Sequence, residues 1–387
     1  MTKQRIICLV DCDAFFVSCE RADNPSLRGQ PVCVMTGAGQ RGIIVSRSQE
    51  AKQLGIKMGE PLFKVRERGI EGIFLSARHD RYGEISAQVM AVLQSFSPDV
   101  EKVSVDEAYM DLTSLQRVYQ KGYPEIIRDI RRAVWEQAGI PVSIGLSTTK
   151  TLAKLASDKA KKNGGIFVIP PDHIQDKIGS LPIEEVCGIG RRHNRHLRFL
   201  GIFTINDFVR QDNAFIRKVF GINGLNLKHE LLGICTSPVD SRPQAPKSIQ
   251  DTSVLGCFTQ DKSILRAALL SHIHYACRRL RRWNGFCGTA GVMLRTKEFR
   301  VVFIKQKLPF YTNSESEIAA AGLALLDRLY QPGVTYRSTG IALEELSYDQ
   351  QPSLFAETPP CHDSPLSRAL DALEAKFGRD IVKTGWV

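Results

Sequence analysis

The chain has 387 residues, 43% of them hydrophobic and 24% charged, which excludes wholesale disorder and leaves room for two or three domains with real cores. Its 52 basic residues against 41 acids leave a net charge of +11, the usual mark of a protein that meets a polyanion such as nucleic acid, although a merely basic soluble enzyme has the same composition. No apolar run approaches the roughly 18 residues of a membrane span, and the ten cysteines include no C-x-x-C pair, which predicts reduced thiols in a cytoplasmic protein rather than zinc or a disulfide framework.

In chain order, the apolar run Ile6 to Val10 is too short for a signal-peptide core and predicts a buried central strand from Arg5 to Val10. Ile126, Ile127, Ile130, Ala133 and Val134 fall on one face of a helix predicted from Glu125 to Gln137. A second buried strand is predicted from Pro141 to Leu146. A helix from Thr148 to Lys162 follows, basic at its end and stopped by Asn163-Gly164-Gly165. Residues 171 to 237 read as helical with regular glycine punctuation, and the three prolines between Ser237 and Lys247 as an extended linker. Residues 248 to 346 read as strands around one or two helices, and the proline-bounded tail ends in a short helix from Leu366 to Phe377.

The first strand runs into Asp11-Cys12-Asp13-Ala14-Phe15-Phe16, and a second acidic group follows at Ser104-Val105-Asp106-Glu107-Ala108-Tyr109-Met110-Asp111. An apolar strand ending in acid is costly unless its charge is compensated, and several such acids repel each other unless a divalent cation lies between them. Hard oxygen ligands suit Mg²⁺, and two such ions about 4 Å apart serve in-line phosphoryl transfer. Neighbouring strand residues point to opposite faces, so Asp106 and Glu107 share a site only at a strand end or hairpin tip. Turn acids at strand ends would give the same dipeptide.

These two motifs resemble the catalytic motifs of the Y-family, translesion DNA polymerases, and the likeness runs from the N-terminus to about residue 346. The resemblance implies an α/β (α+β) right-hand polymerase with a carboxylate-bearing palm (1–20 and 80–170) and small fingers (21–79). A helical thumb with a helix-hairpin-helix (171–237), a linker (238–247), an α/β little finger that binds DNA (248–346) and a tail (347–387) would follow. It further implies that Asp11, Asp106, Glu107 and the backbone carbonyl of Cys12 hold two Mg²⁺ ions. Phe16 would lie under the incoming sugar and exclude a ribose 2′-hydroxyl. Ser46, Lys52 and Lys161 would contact the triphosphate. Gln49 and Lys52 stand where many members have Tyr and Arg, which weakens a bidentate grip and, with Lys57-Met58-Gly59, points to the UmuC-like branch, the catalytic subunit of bacterial DNA polymerase V. Asp13 and Asp111 read equally well as structural acids.

Val186-Cys187-Gly188-Ile189-Gly190-Arg191-Arg192 resembles a helix-hairpin-helix, whose glycines let backbone N–H groups approach a DNA phosphate without reading sequence; an ordinary tight turn would look similar. Arg278, Arg279, Arg281 and Arg282, then Arg295, Lys297, Arg300, Lys305 and Lys307, form a basic region that suits a duplex backbone and predicts salt-dependent binding. In the tail, Gln351, Leu354 and Phe355 resemble the peptide that bacterial polymerases insert into a sliding clamp. The resemblance thus implies primer–template DNA, deoxynucleoside triphosphates and the clamp as partners, with a UmuD′-like dimer and a recombinase filament as possible others and no membrane. It implies error-prone translesion synthesis in SOS mutagenesis. A palm-type nucleotidyl cyclase and a catalytically silent clamp-bound adaptor are the competing readings; the DNA-gripping segments oppose the first and the intact carboxylates the second.

Overall fold

The computed structural model describes residues 4–37, 42–348 and 365–377, and the chain divides into two units, Met1–Arg242 and Pro243–Val387. The first begins with β1 (Ile7–Cys12), buried along its whole length, and α1 (Phe15–Asp23). Next come β2 (Val32–Thr36), β3 (Ile43–Arg47), α2 (Gln49–Gln53), α3 (Leu62–Glu67) and β4 (Ile73–Ser76). The three strands form a small sheet of order β3-β2-β4 around Met35, Ile44, Ile56 and Val65.

The chain returns through α4 (His79–Phe96) to the hairpin β5 (Val100–Lys102) and β6 (Glu107–Asp111), then α5 (Leu115–Tyr119), α6 (Tyr123–Ala138), β7 (Val142–Ser147), α7 (Lys150–Ala160) and β8 (Ile166–Val168). These strands make a five-stranded sheet, β5-β6-β1-β7-β8, with β1 at its centre. α6 forms as its periodicity predicts: Ile126, Ile127, Ile130 and Val134 are buried, the Glu125 carboxylate accepts the Gly122 N–H at 2.9 Å, and Gly139 ends the helix at φ 67°. β1 runs two residues beyond its predicted end, because Asp11 and Cys12 stay in the ladder opposite Glu107 and Val142. α7 starts after Thr149, whose hydroxyl accepts the Leu152 N–H at 3.2 Å, and lies against β7 at Gly145. A Cβ there would stand 2.1 Å from the Ser157 nitrogen, so only glycine allows that approach.

The first unit ends in helices: α8 (Ile174–Ile178), α9 (Arg191–Phe199), α10 (Ile205–Val209) and α11 (Asn213–Leu231), the last interrupted at Gly221. They share a core of Ile178, Ile183, Leu197, Ile205, Phe208 and Leu231.

The second unit is β9 (Ile249–Thr259), α12 (Lys262–Arg281), β10 (Phe286–Thr296), β11 (Val301–Thr312), α13 (Glu315–Leu329), β12 (Tyr336–Ser347) and α14 (Pro365–Phe377). Its four strands are antiparallel in the order β11-β10-β12-β9. Ala290, Val292, Leu294, Val302, Ile304, Ile341 and Leu343 pack with Leu269, Ile273, Leu280, Ile318 and Leu325 of α12 and α13. The period of two in a strand leaves the opposite face of the sheet without a helix from this core.

Candidate active site

Burying β1 as the central strand carries Asp11 to the sheet's end, where it is 4% exposed and directly opposite Glu107, the first residue of β6. Asp106 sits at the hairpin tip between β5 and β6, where its carbonyl accepts the Cys12 N–H at 2.8 Å and its carboxylate accepts the Ser104 hydroxyl. The geometric condition on the Asp106-Glu107 pair is therefore met at a hairpin tip. Ala14 adopts φ 44°, which turns the chain out of β1 and starts α1.

Lys154 and Lys161, two helical turns apart on α7 and its end, reach this carboxylate pair. The Lys161 Nζ lies 2.9 Å from Asp11, and the Lys154 Nζ lies 3.0 Å from Asp11 and also bonds Glu107. Burial raises the Asp11 pKa, but its hydrogen bond with Glu107 and the two lysines outweigh that and hold it below the usual carboxylate range. Glu107 moves up, through burial and then through its contact with Asp11. Burial opposes the charge on Lys154, yet Glu107 and Asp11 together raise its pKa, and Asp11 does the same for Lys161. Lys154 was not singled out by sequence reasoning; its one signal was the seven-residue spacing from Lys161 in a capped amphipathic helix.

Among the described residues no three His, Cys, Asp or Glu side chains stand close enough together to close a metal site. The donor set nevertheless suits a cation: two facing carboxylates with an ammonium group bonded to both, and a third carboxylate on the adjoining hairpin tip. The Lys154 ammonium occupies the space between the two carboxylates, where a divalent ion would compete with it.

The two ambiguous acids each have partners within the fold. The Asp13 carboxylate accepts the Ser143 hydroxyl at 2.8 Å and is pushed up by burial. Asp111, at the far end of β6 opposite Ile7, pairs with Arg5 at 2.6 Å and accepts the Thr113 N–H at 2.8 Å.

Phe16 is held rather than loose: its ring stacks on Tyr82 of α4 with centroids 4.7 Å apart and meets His79 edge-on. The buried Ser46 hydroxyl lies 3.4 Å from both the Ala14 carbonyl and the Val17 N–H, so it ties β3 to the entry of α1. Lys52 is exposed on α2 and has no ion pair among the described residues.

Gly188 takes φ +95°, Gly190 precedes the first turn of α9, and a Cβ at either would meet open space. Arg191 and Arg192 are exposed beside them. The basic cluster on α12 is divided, and of the two members expected to meet DNA only Arg279 is exposed. Arg278 is 6% exposed and bonded to Glu374 of α14, and Arg281 is 6% exposed and bonded to Asp371 at 2.7 Å. A buried guanidinium with a carboxylate partner has no surface to offer DNA. Arg279 stays exposed, 2.8 Å from the Gln250 carbonyl.

On the open face of the second sheet, the register sets Val301, Arg295, Ser338 and Val254 in one row and Phe303, Met293, Gly340 and Thr252 in the next. Lys305, Gly291, Ala342 and Gln250 form the third row. Its two central strands carry the small residues Gly291, Ser338, Gly340 and Ala342 beside Met293 and Arg295, with Lys305 and Lys307 on β11 and Lys297 exposed in the β10–β11 turn. Gln351, Leu354 and Phe355 lie outside the described residues.

Comparison with known proteins gives the chain's relatives. The impB/mucB/samB family matches residues 10–158, and the impB/mucB/samB family C-terminal domain matches residues 246–354. The chain is 33% identical over 386 residues to DNA polymerase IV of Desulfatibacillum aliphaticivorans, covering 98% of this chain and 96% of that one. It is 31% identical to Protein UmuC of Salmonella typhimurium, covering 96% of this chain and 91% of the relative. Among solved structures, a Y-family DNA polymerase chimera of Dbh and Dpo4 superposes with TM-score 0.75 at 26% identity, covering 88% of this chain and 98% of the chimera. DinB from Sulfolobus solfataricus superposes with TM-score 0.58 at 27% identity over the same shares.

Proposed function

The chain belongs to the impB/mucB/samB family of Y-family DNA polymerases and is a DNA-directed DNA polymerase, and from that premise we propose that it copies damaged templates by two-metal nucleotidyl transfer with Mg²⁺, in SOS mutagenesis. The observation that carries this reading is the Asp11–Glu107 pair with Lys154 bonded to both. The side chains of Asp11, Asp106 and Glu107 and the carbonyl of Cys12 would hold the metal ions. Bound there, divalent ions would lower the pKa of the primer 3′-hydroxyl and neutralise charge on the phosphates.

The remaining work falls to this chain's own groups. The primer 3′-oxygen forms a bond to the α-phosphorus as the bond to pyrophosphate breaks, so negative charge moves to the leaving group. Lys161, fixed beside Asp11, is placed to stabilise it, and Lys52 offers a point charge for the phosphate tail. Phe16, braced by Tyr82, presents a rigid wall against a 2′-hydroxyl. Exposed backbone N–H groups at Gly188 and Gly190, with Arg191 and Arg192, suit a DNA phosphate. The open face with Arg295, and Lys297 in the turn beside it, suit a duplex backbone. The clamp, through Gln351, Leu354 and Phe355, and a UmuD′-like dimer or recombinase filament complete the proposed partners.

Primer extension with Mg²⁺ on an undamaged and an abasic template, wild type against Asp106→Ala, tests the reading. Extension past the lesion that vanishes in the variant supports it. Silence of the wild type, even with clamp and UmuD′-type partner added, would overturn it in favour of an adaptor role.

A further inference from the structure

The outer face of α6 opens onto a cleft of about 780 Å³ that shares no lining residue with the carboxylate pair. It is lined by Lys121, Arg128, Arg131 and Arg132 together with Trp135 and the apolar Pro141, Val142 and Ile166. Both acids in the wall are already engaged. Asp129 pairs with Lys121 at 2.6 Å and Arg132 at 2.7 Å, and Glu125 accepts the Gly122 N–H at the start of α6. That leaves two guanidinium groups: Arg128, which has no ion pair among the described residues, and Arg131.

Arg131 is set in place rather than waving in solvent. Its Nε donates to the Val142 carbonyl at 3.1 Å, and Gly165, at φ +86°, lies so close that a Cβ there would stand 2.6 Å from the guanidinium. Trp135 is 47% exposed, and the Arg28 guanidinium stands 5.4 Å from its ring centroid. An exposed indole in a cleft with apolar lining takes a flat aromatic group by stacking, and two guanidiniums with no acid left to pair take a phosphate.

We infer that this cleft is a second binding site, separate from the polymerase centre, for a phosphorylated nucleobase stacked on Trp135 with its phosphate on Arg128 and Arg131. That chemistry comes from a free nucleotide or from a single-stranded stretch of DNA. The volume is of the size that small-molecule sites span, roughly 300–1,000 Å³. The inference rests on α6 and its neighbours, not on the reaction proposed above.

The test uses the full chain with Trp283→Phe and Trp386→Phe, which makes Trp135 its only tryptophan. Its fluorescence is followed during titration with dTTP, and separately with a short oligothymidylate, both in EDTA so that no nucleotide transfer occurs. Saturable quenching that Arg128→Glu weakens at least tenfold, with primer extension on an undamaged template unchanged, is the expected result. Quenching by both ligands assigns the site to free nucleotide, and quenching by the oligonucleotide alone assigns it to a single strand. Absence of quenching by either, indifference to Arg128→Glu, or equal displacement by oligoglutamate would overturn the inference.

Discussion

At Asp11 and Glu107 two carboxylates face each other across one rung of the sheet, and Lys154 bonds both. Deleting one partner of a largely buried ion pair costs more than the pair itself contributes, because the remaining charges stay desolvated. Lys154→Met should therefore destabilise the metal-free chain by about 1–3 kcal/mol, roughly 3–8 °C in melting temperature for a unit of this size. The same substitution removes the competitor for the cation, so added Mg²⁺ or Mn²⁺ should raise the melting temperature more in the variant than in wild type. Thermal melts in EDTA and in metal check both signs. Equal metal-induced shifts would mean that the cation binds away from Lys154. At Phe16 the expectation concerns selectivity: with Tyr82 bracing the ring, Phe16→Ala should raise ribonucleotide over deoxyribonucleotide incorporation by about tenfold or more, since a lost steric wall no longer rejects one hydroxyl. Single-nucleotide insertion with paired substrates measures it.

Helix α7 delivers both lysines only because it lies against β7 with no side chain between them, and Gly145 is the point of contact. Gly145→Ala should cost about 3 kcal/mol through overpacking and displace Lys154 and Lys161 together, so that extension falls further than stability alone accounts for. Activity measured well below the variant's own melting temperature separates the two losses. Helix α14 is held differently. Its inner side carries Asp371 and Glu374, which meet Arg281, Arg278 and His274 of α12. His274 lies between Glu315 and Glu374, each 3.0 Å from a ring nitrogen, and these acids push its pKa up to about 9. A histidine raised in the folded state stabilises fully below its unfolded pKa of roughly 6.5, and that contribution disappears as pH rises through about 9. The second unit's melting temperature should thus fall between pH 7 and pH 10 in wild type and fall less in His274→Gln. Parallel pH profiles would show that the histidine contributes nothing to holding α14.

Across the molecule, what the sequence disclosed and what it hid follow one physical distinction. The carboxylates were legible because a buried strand ending in acid is locally anomalous, and the helices around them because apolar period and caps lie within a few residues of each other. Lys154 was hidden because a lysine on a capped helix looks the same whether it faces solvent or a carboxylate. Arg278 and Arg281 were misread because their acids lie 96 and 90 residues further along, and only the fold brings them together. The net charge of +11 therefore overstates the cations free to meet DNA. Binding to primer–template should weaken steeply with salt, with the logarithm of affinity falling by about 0.9 per phosphate neutralised for each logarithm of salt. Lys297→Ala with Arg300→Ala, both exposed in the β10–β11 turn, should lower that slope by about 1–2. Arg278→Ala should leave the slope unchanged while lowering the second unit's melting temperature, because its guanidinium answers Glu374 and not a phosphate. Titrations of labelled primer–template at four or five salt concentrations distinguish the two kinds of arginine. A reduced slope in Arg278→Ala would return that residue to the DNA surface.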